Sequence, residues 1–204
     1  MKKDLTELVF ILDESGSMSG MESDVIGGFN SLIEKEKNEK GTALVTTVMF
    51  SSDKRKVHTR VDIKEVKKLT PRDYTPNGLT ALLDTIGSTV NEIHNRHLEL
   101  PDSEVPEKTM VIITTDGYEN ASSSFTYPKI NQLIKNMKEK YNWEFIFLAS
   151  NIDVEVESEK LGMGREYSIK NESSHYGTRK NFEDAQRAIR YCRSDKKLDR
   201  SWKE

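Results

Sequence analysis

Asp13, Ser15 and Ser17 alternate through the stretch Asp13-Glu14-Ser15-Gly16-Ser17-Met18, directly after the apolar run Leu8-Val9-Phe10-Ile11-Leu12. Apolar residues that stop at a polar, glycine-containing turn read as a buried strand delivering oxygen-bearing side chains to its own carboxyl end. The alternate spacing lets an extended or looping backbone turn all three side chains to one side. Two later positions share this chemistry: Thr80, where a helix opens, and Asp116, which with Gly117 ends a second apolar run. Brought together, the five offer two carboxylates and three hydroxyls, with no nitrogen or sulfur. Such an all-oxygen set selects hard cations, Mg2+ first and Mn2+ or Ca2+ besides, over zinc or copper. Mg2+ keeps some of its waters, so the ion is expected to retain an open or water-filled position.

Those residues can meet only if the intervening elements bring them together. Val25, Ile26, Phe29, Leu32 and Ile33 fall at helical spacing and lead to Gly41 as a stop. Gly27-Gly28 inside that helix costs roughly 1 kcal/mol per glycine relative to alanine, so either the helix begins late or something packs closely there. Thr42 to Phe50 reads as a central strand, apolar on both faces. Val57, Thr59 and Val61 alternate with Lys56, His58 and Arg60, which predicts a half-buried, antiparallel edge strand with the basic residues toward water. A short helical turn around Val66 and Leu69 is expected next. The helix after Thr80 carries the stripe Leu82, Ile86, Thr89, Val90 and Ile93.

A loop over 98–107 leads to the strand Thr109–Thr115, and Pro128 starts a helix with Ile130, Leu133, Ile134 and Met137 inward. Trp143 to Leu148 reads as a further strand, Glu166 to Lys170 as a short last one, and Phe182, Ala185, Ile189 and Cys192 as a weak helical stripe. Alternating strands and helices predict an α/β fold, doubly wound, with a mostly parallel central sheet flanked by helices on both faces and one antiparallel edge strand. Such sheets bind ligands outside the carboxyl ends of their strands, where the strand order reverses. If the first strand and the Thr109 strand are neighbours, Asp13 and Asp116 meet there and Thr80 can reach them.

The 204 residues are read as one domain, with its core over about 5–150 and a peripheral last strand, helix and charged tail over 151–204. A chain of this length buries about 70% of its unfolded surface. A net charge of -3 and a pI near 5.9 argue against nucleic acid as a partner. No segment approaches the roughly 20 apolar residues of a bilayer span, and a single cysteine, Cys192, suits a reducing compartment. The expected setting is cytoplasmic, with no membrane partner. Cys192 reads as a small apolar filler and Glu14 as pointing away from the motif. His94 and His97 lack a third ligand and read as solvated helix surface. From Arg179 onward, nine Lys or Arg against five Asp or Glu read as a solvated helix and frayed tail, with contact to an acidic partner as the competing reading.

The sequence resembles the von Willebrand factor type A domains that carry a metal-ion-dependent adhesion site, most closely the small single-domain bacterial and phage type. Asp13, Ser15 and Ser17 match the Asp-x-Ser-x-Ser motif, Thr80 in Gly78-Leu79-Thr80-Ala81-Leu82-Leu83-Asp84 its threonine, and Asp116 before Gly117 its late aspartate. The resemblance implies a Rossmann-like fold. It also implies hydroxyls that touch the ion directly or nearly so, aspartates that act through water, and a partner protein whose Asp or Glu completes the octahedron. Function is then protein binding rather than catalysis.

The rival is a metal-dependent phosphohydrolase of haloacid-dehalogenase type with Asp13 as nucleophile. Those enzymes carry a second acid two residues on as general acid, where this chain has Ser15. A serine hydrolase fits less well, because Gly16 and Gly20 flank Met18 and not a serine.

Overall fold

The computed structural model describes residues 1–194 and 200–203. Six strands form one sheet: β1 (Lys2–Asp13), β2 (Thr42–Phe50), β3 (Lys54–Asp62), β4 (Pro106–Thr115), β5 (Glu144–Ala149) and β6 (Ser168–Lys170), in the order β3-β2-β1-β4-β5-β6. All neighbours are parallel except β2 and β3, which pair antiparallel at the edge. The connection from β1 runs one way to β2 and the later connections run the other way, so with right-handed crossovers the helices fall on opposite faces. Accordingly α1 (Glu22–Glu36) packs on α5 (His175–Arg193), and α2 (Leu82–Glu99) on α3 (Tyr127–Tyr141).

With both faces covered, β1 is buried without a break from Leu5 to Asp13. Its register sets Asp13 beside Phe50 of β2 and Leu12 beside Thr114 of β4. The strand order reverses at β1. The doubly wound sheet and antiparallel edge strand expected from the sequence are both present.

At the edge, period-two reasoning misplaced His58. The β2–β3 ladder shifts register on either side of Thr47, a bulge that turns His58 inward. Its Nε2–H donates to the Lys67 carbonyl and its Nδ1 meets the Thr47 hydroxyl, both at 3.0 Å. The ring stacks on Phe29, and burial pushes its pKa down. Arg60, at the same irregularity, takes a left-handed φ of 49° and reaches inward to Glu7. The helical turn expected at Val66 and Leu69 is a 3-10 turn over Ile63–Glu65 instead. Leu69 is held by a two-way bond with the Asn30 side chain at 2.8 and 2.9 Å.

Helix α1 runs through both glycines because Phe182 of α5 lies against Gly28, where a Cβ would stand 2.3 Å from the ring. A short α4 (Val154–Lys160), which carries no clear periodicity, follows β5. Ile152, Leu161, Phe182, Ala185, Ile189 and Cys192 join the same core as β1 and β4. The arginines of α5 are used within the fold: Arg179 faces Asp24, Arg190 faces Glu39, and Arg193 forms a buried pair with Glu36 at 2.9 Å. Of the tail read as frayed, residues 195–199 and 204 lie outside the described residues, while Trp202 is buried and donates to the Glu166 carbonyl at 3.0 Å. His94 and His97 are not solvated surface either. His97 is buried 2.8 Å from Glu7 Oε2, and His94 lies edge-on to Tyr141. Among the described residues, no helix is long and apolar enough to cross a membrane.

Candidate metal centre

The centre is built where β1 and β4 end, at the point of reversal. Asp13 closes β1, and a 3-10 turn over Gly16–Met18 then folds the chain back before α1 begins. Asp13 Oδ1 accepts the Ser15 N–H at 2.7 Å, and Oδ2 accepts the Thr115 hydroxyl at 2.5 Å. The Tyr74 hydroxyl donates to the Asp13 carbonyl at 2.5 Å, which anchors the strand end from below. Ser15 and Ser17 bring their hydroxyl oxygens to 3.1 Å, and the Ser17 hydroxyl donates to Asp116 Oδ1 at 2.5 Å.

Thr80 comes from the loop that leads into α2. Gly78 takes a φ of 72°, and a Cβ there would stand 2.7 Å from Ser52 Oγ, so the turn requires glycine. The Gly16 N–H donates to the Gly78 carbonyl at 3.1 Å and ties this loop to the motif. The Thr80 hydroxyl and the Ser17 hydroxyl both face Gly117: each lies 3.8 Å from the position a Cβ would take there. The five oxygen-bearing residues of the sequence pattern therefore come from three separate loops to one place. Glu14 points away, as expected, its carboxylate taken by Arg55 at 3.0 and 2.7 Å.

The electrostatics set these carboxylates apart. Asp13 is 1% exposed and Asp116 8%. Burial raises the pKa of Asp13 above the ordinary carboxylate value; the Thr115 and Ser15 hydrogen bonds oppose the rise and the Asp116 charge adds to it. Burial raises that of Asp116 as well, opposed by Ser17. Among the described residues, no lysine, arginine or histidine is among the main influences on either. Two buried acids served only by hydroxyls and amides fit a hard divalent cation, which would supply the missing positive charge. Among the described residues no group of three or more His, Cys, Asp or Glu gathers to hold a metal, so a cation held here would depend on hydroxyl oxygens.

Sequence reasoning missed Thr115, Tyr74, Glu119 and Asn120. Thr115 looked like strand interior. Asn120 bonds Thr80 in both directions, its side-chain Oδ1 accepting the Thr80 N–H at 2.7 Å and its backbone N–H donating to the Thr80 carbonyl at 3.0 Å. No motif spacing marks that contact.

No protein-family model and no curated protein matches the sequence. Among solved structures, proximal thread matrix protein 1 from the mussel byssus matches 91% of this chain and 46% of its own, with a TM-score of 0.60 and 17% identity. Another structure of that protein, with a zinc-occupied MIDAS motif, matches over 90% and 45%, with a TM-score of 0.58 and 18% identity. The ArnB paralog VWA2 from Sulfolobus acidocaldarius matches over 88% and 44%, with a TM-score of 0.56 and 14% identity. The chain has the von Willebrand factor type A fold. The pilus adhesin SpaC from Lactobacillus rhamnosus GG shares it over 93% of this chain and 30% of its own, with a TM-score of 0.65 and 13% identity. The chain spans less than half the length of each of these proteins.

Proposed function

We propose that this chain is a cation-dependent protein-binding module. Asp13, Ser15, Ser17, Thr80 and Asp116 hold a hard divalent cation, Mg2+ first, and an Asp or Glu of a partner protein binds at its remaining position. The observation that carries this reading is the pair of buried carboxylates, Asp13 and Asp116, at the reversal point of the sheet, with no Lys, Arg or His of the described residues among the main influences on either. The ion supplies a Lewis-acidic point at which an anionic oxygen binds. The chain's residues position the oxygens and, by placing three neutral hydroxyls among them, leave positive charge for an incoming carboxylate.

The cavity on the α1–α5 side of Asp116, lined by Met18, Val25, Thr115 and Phe182 among others, holds about 10 Å³, whereas small-molecule sites usually run to hundreds of Å³, so that flank offers no room for a small substrate. The neighbours named as an adhesin and a matrix protein, the latter with zinc in its own MIDAS motif, support the same reading. The hydrolase alternative gains nothing from the geometry. Both oxygens of Asp13 are hydrogen-bonded, and Ser15 offers no proton-donating acid.

Titration of Mg2+, Mn2+ and Ca2+ into chelator-treated protein by calorimetry tests the reading. Wild type is expected to bind and Asp13→Ala to bind none. Equal affinities in the two would overturn the assignment.

A further inference from the structure

The start of α2 lacks a cap of its own. Ala81 occupies the capping position with no side-chain acceptor, yet the first N–H groups of a helix need partners. They find them in the loop that follows Asp116. Leu83 N–H donates to Glu119 Oε2 at 2.8 Å and Asp84 N–H to the Ser122 hydroxyl at 2.9 Å, while Thr80 N–H, just ahead of the helix, goes to Asn120 Oδ1. The exchange is reciprocal: the Asp84 carboxylate accepts the N–H groups of Ser123, Ser124 and Phe125 at 2.7 to 3.2 Å. Phe125 sits so close over Gly87 that a Cβ there would stand 2.4 Å from its ring. The loop bearing Asp116 and the helix start bearing Thr80 are thereby joined into one body.

Within that junction the two acceptors do different work. Glu119 holds Leu83, Ala121 and Ser122, the last through its N–H and its hydroxyl, and so caps the helix and shapes its own loop. Asn120 holds the Thr80 backbone twice, its side-chain Oδ1 accepting the Thr80 N–H and its backbone N–H donating to the Thr80 carbonyl. We propose that Asn120 is a positioning residue for the cation: its side-chain Oδ1 fixes the Thr80 N–H so that the Thr80 hydroxyl faces Gly117, as that of Ser17 does, and it acts on the ion only through Thr80. This rests on the cation reading above.

The test is a double-mutant cycle read by Mn2+ and Mg2+ titration, with melting temperatures in chelator and the exchange protection of the Thr80 amide in metal-free protein. Asn120→Ala is expected to weaken ion binding by about 10- to 100-fold, the usual effect of losing a residue that orients a ligand, and to expose the Thr80 amide. Asn120→Asp, which keeps the oxygen acceptor, restores both. In a Thr80→Ala background, Asn120→Ala adds nothing further. Glu119→Ala serves as control, lowering the melting temperature with a smaller loss of affinity.

Additive effects of Thr80→Ala and Asn120→Ala would overturn the proposal, as would wild-type affinity in Asn120→Ala where Thr80→Ala is weakened. So would an affinity loss in Glu119→Ala as large as that in Asn120→Ala, since general loosening would then explain both. If wild type itself binds no ion, the cation reading fails and this proposal fails with it.

Discussion

Glu7 and Asp13 lie on the same strand, both buried, and the fold treats their charges in opposite ways. Glu7 is 0% exposed and sits between two basic groups, Arg60 Nε at 2.9 Å and His97 Nε2 at 2.8 Å. Asp13, 1% exposed, has only neutral donors and a second carboxylate for company. A buried charge is costly unless paired, and the fold goes to some length to pair Glu7. It bulges an edge strand and holds Arg60 in a left-handed conformation to do so. Among the described residues no such provision is made at Asp13 and Asp116, which is the property a site for an external cation requires. Cavity volume alone would have chosen the other end of the sheet, where a cleft of about 940 Å³ lies beside Arg60 and Thr89. The charge comparison outweighs it, because the lining of that cleft carries acids and bases that offset one another.

The comparison breaks most visibly at Glu7. Glu7→Gln leaves Arg60 and His97 facing an uncharged amide, and removing one partner of a buried pair typically costs about 3–5 kcal/mol. Urea unfolding should show a loss of that size, the same with Mg2+ or with chelator. A loss well under 1 kcal/mol would mean that Glu7 is not held by its charge, and the contrast with Asp13 would lose its reference.

At the other end the sign reverses. In chelator, Asp13→Asn and Asp116→Asn remove a buried charge that no protein cation offsets, so each variant should be as stable as wild type or more so. With Mg2+ at a hundred times its dissociation constant, wild type alone gains about 2.7 kcal/mol from binding. Thermal melts with and without the ion read both effects. A variant destabilised equally in the two conditions would show that Asp13 serves the fold rather than a ligand.

The elements behind this contrast were unequally legible. The end of β1 could be read because a strand buried on both faces gives an unbroken apolar run, and its polar stop is local in sequence. Thr80 and Asp116 could be joined to it because parallel sheets gather loops at one end, a rule of topology rather than of contact. Glu7 could not be read: it stands beside that same run with nothing to mark it, and its partners come from a distant helix and from a bulge. That bulge also defeated the alternation at His58, since one extra residue exchanges the faces of a strand. Asn120 and Glu119 were hidden for a related reason. Cap-type acceptors normally precede their helix in sequence, and these two reach α2 from across the site. Helix α4 was too short for its periodicity to stand out.

The smallest expected effect, that of pH, tests the electrostatic basis of the comparison most directly. Burial raises Asp13 and Asp116 above the ordinary carboxylate value of 3.8. Between that value and the raised one, the metal-free folded state holds protons that the unfolded state has released. Stability from these two groups therefore falls as pH rises through the window and recovers as pH falls. The free energy of unfolding of Asp13→Asn minus that of wild type, in chelator, should be greatest at neutral pH and shrink on acidification toward 3.8. Saturating Mg2+ should invert the trend, since a bound cation favours the ionised carboxylates: wild type leads at neutral pH and loses its lead in acid. A difference flat with pH in both conditions would mean that Asp13 carries no unfavourable charge in the folded protein, and the case for a cation built on its missing partner would fall.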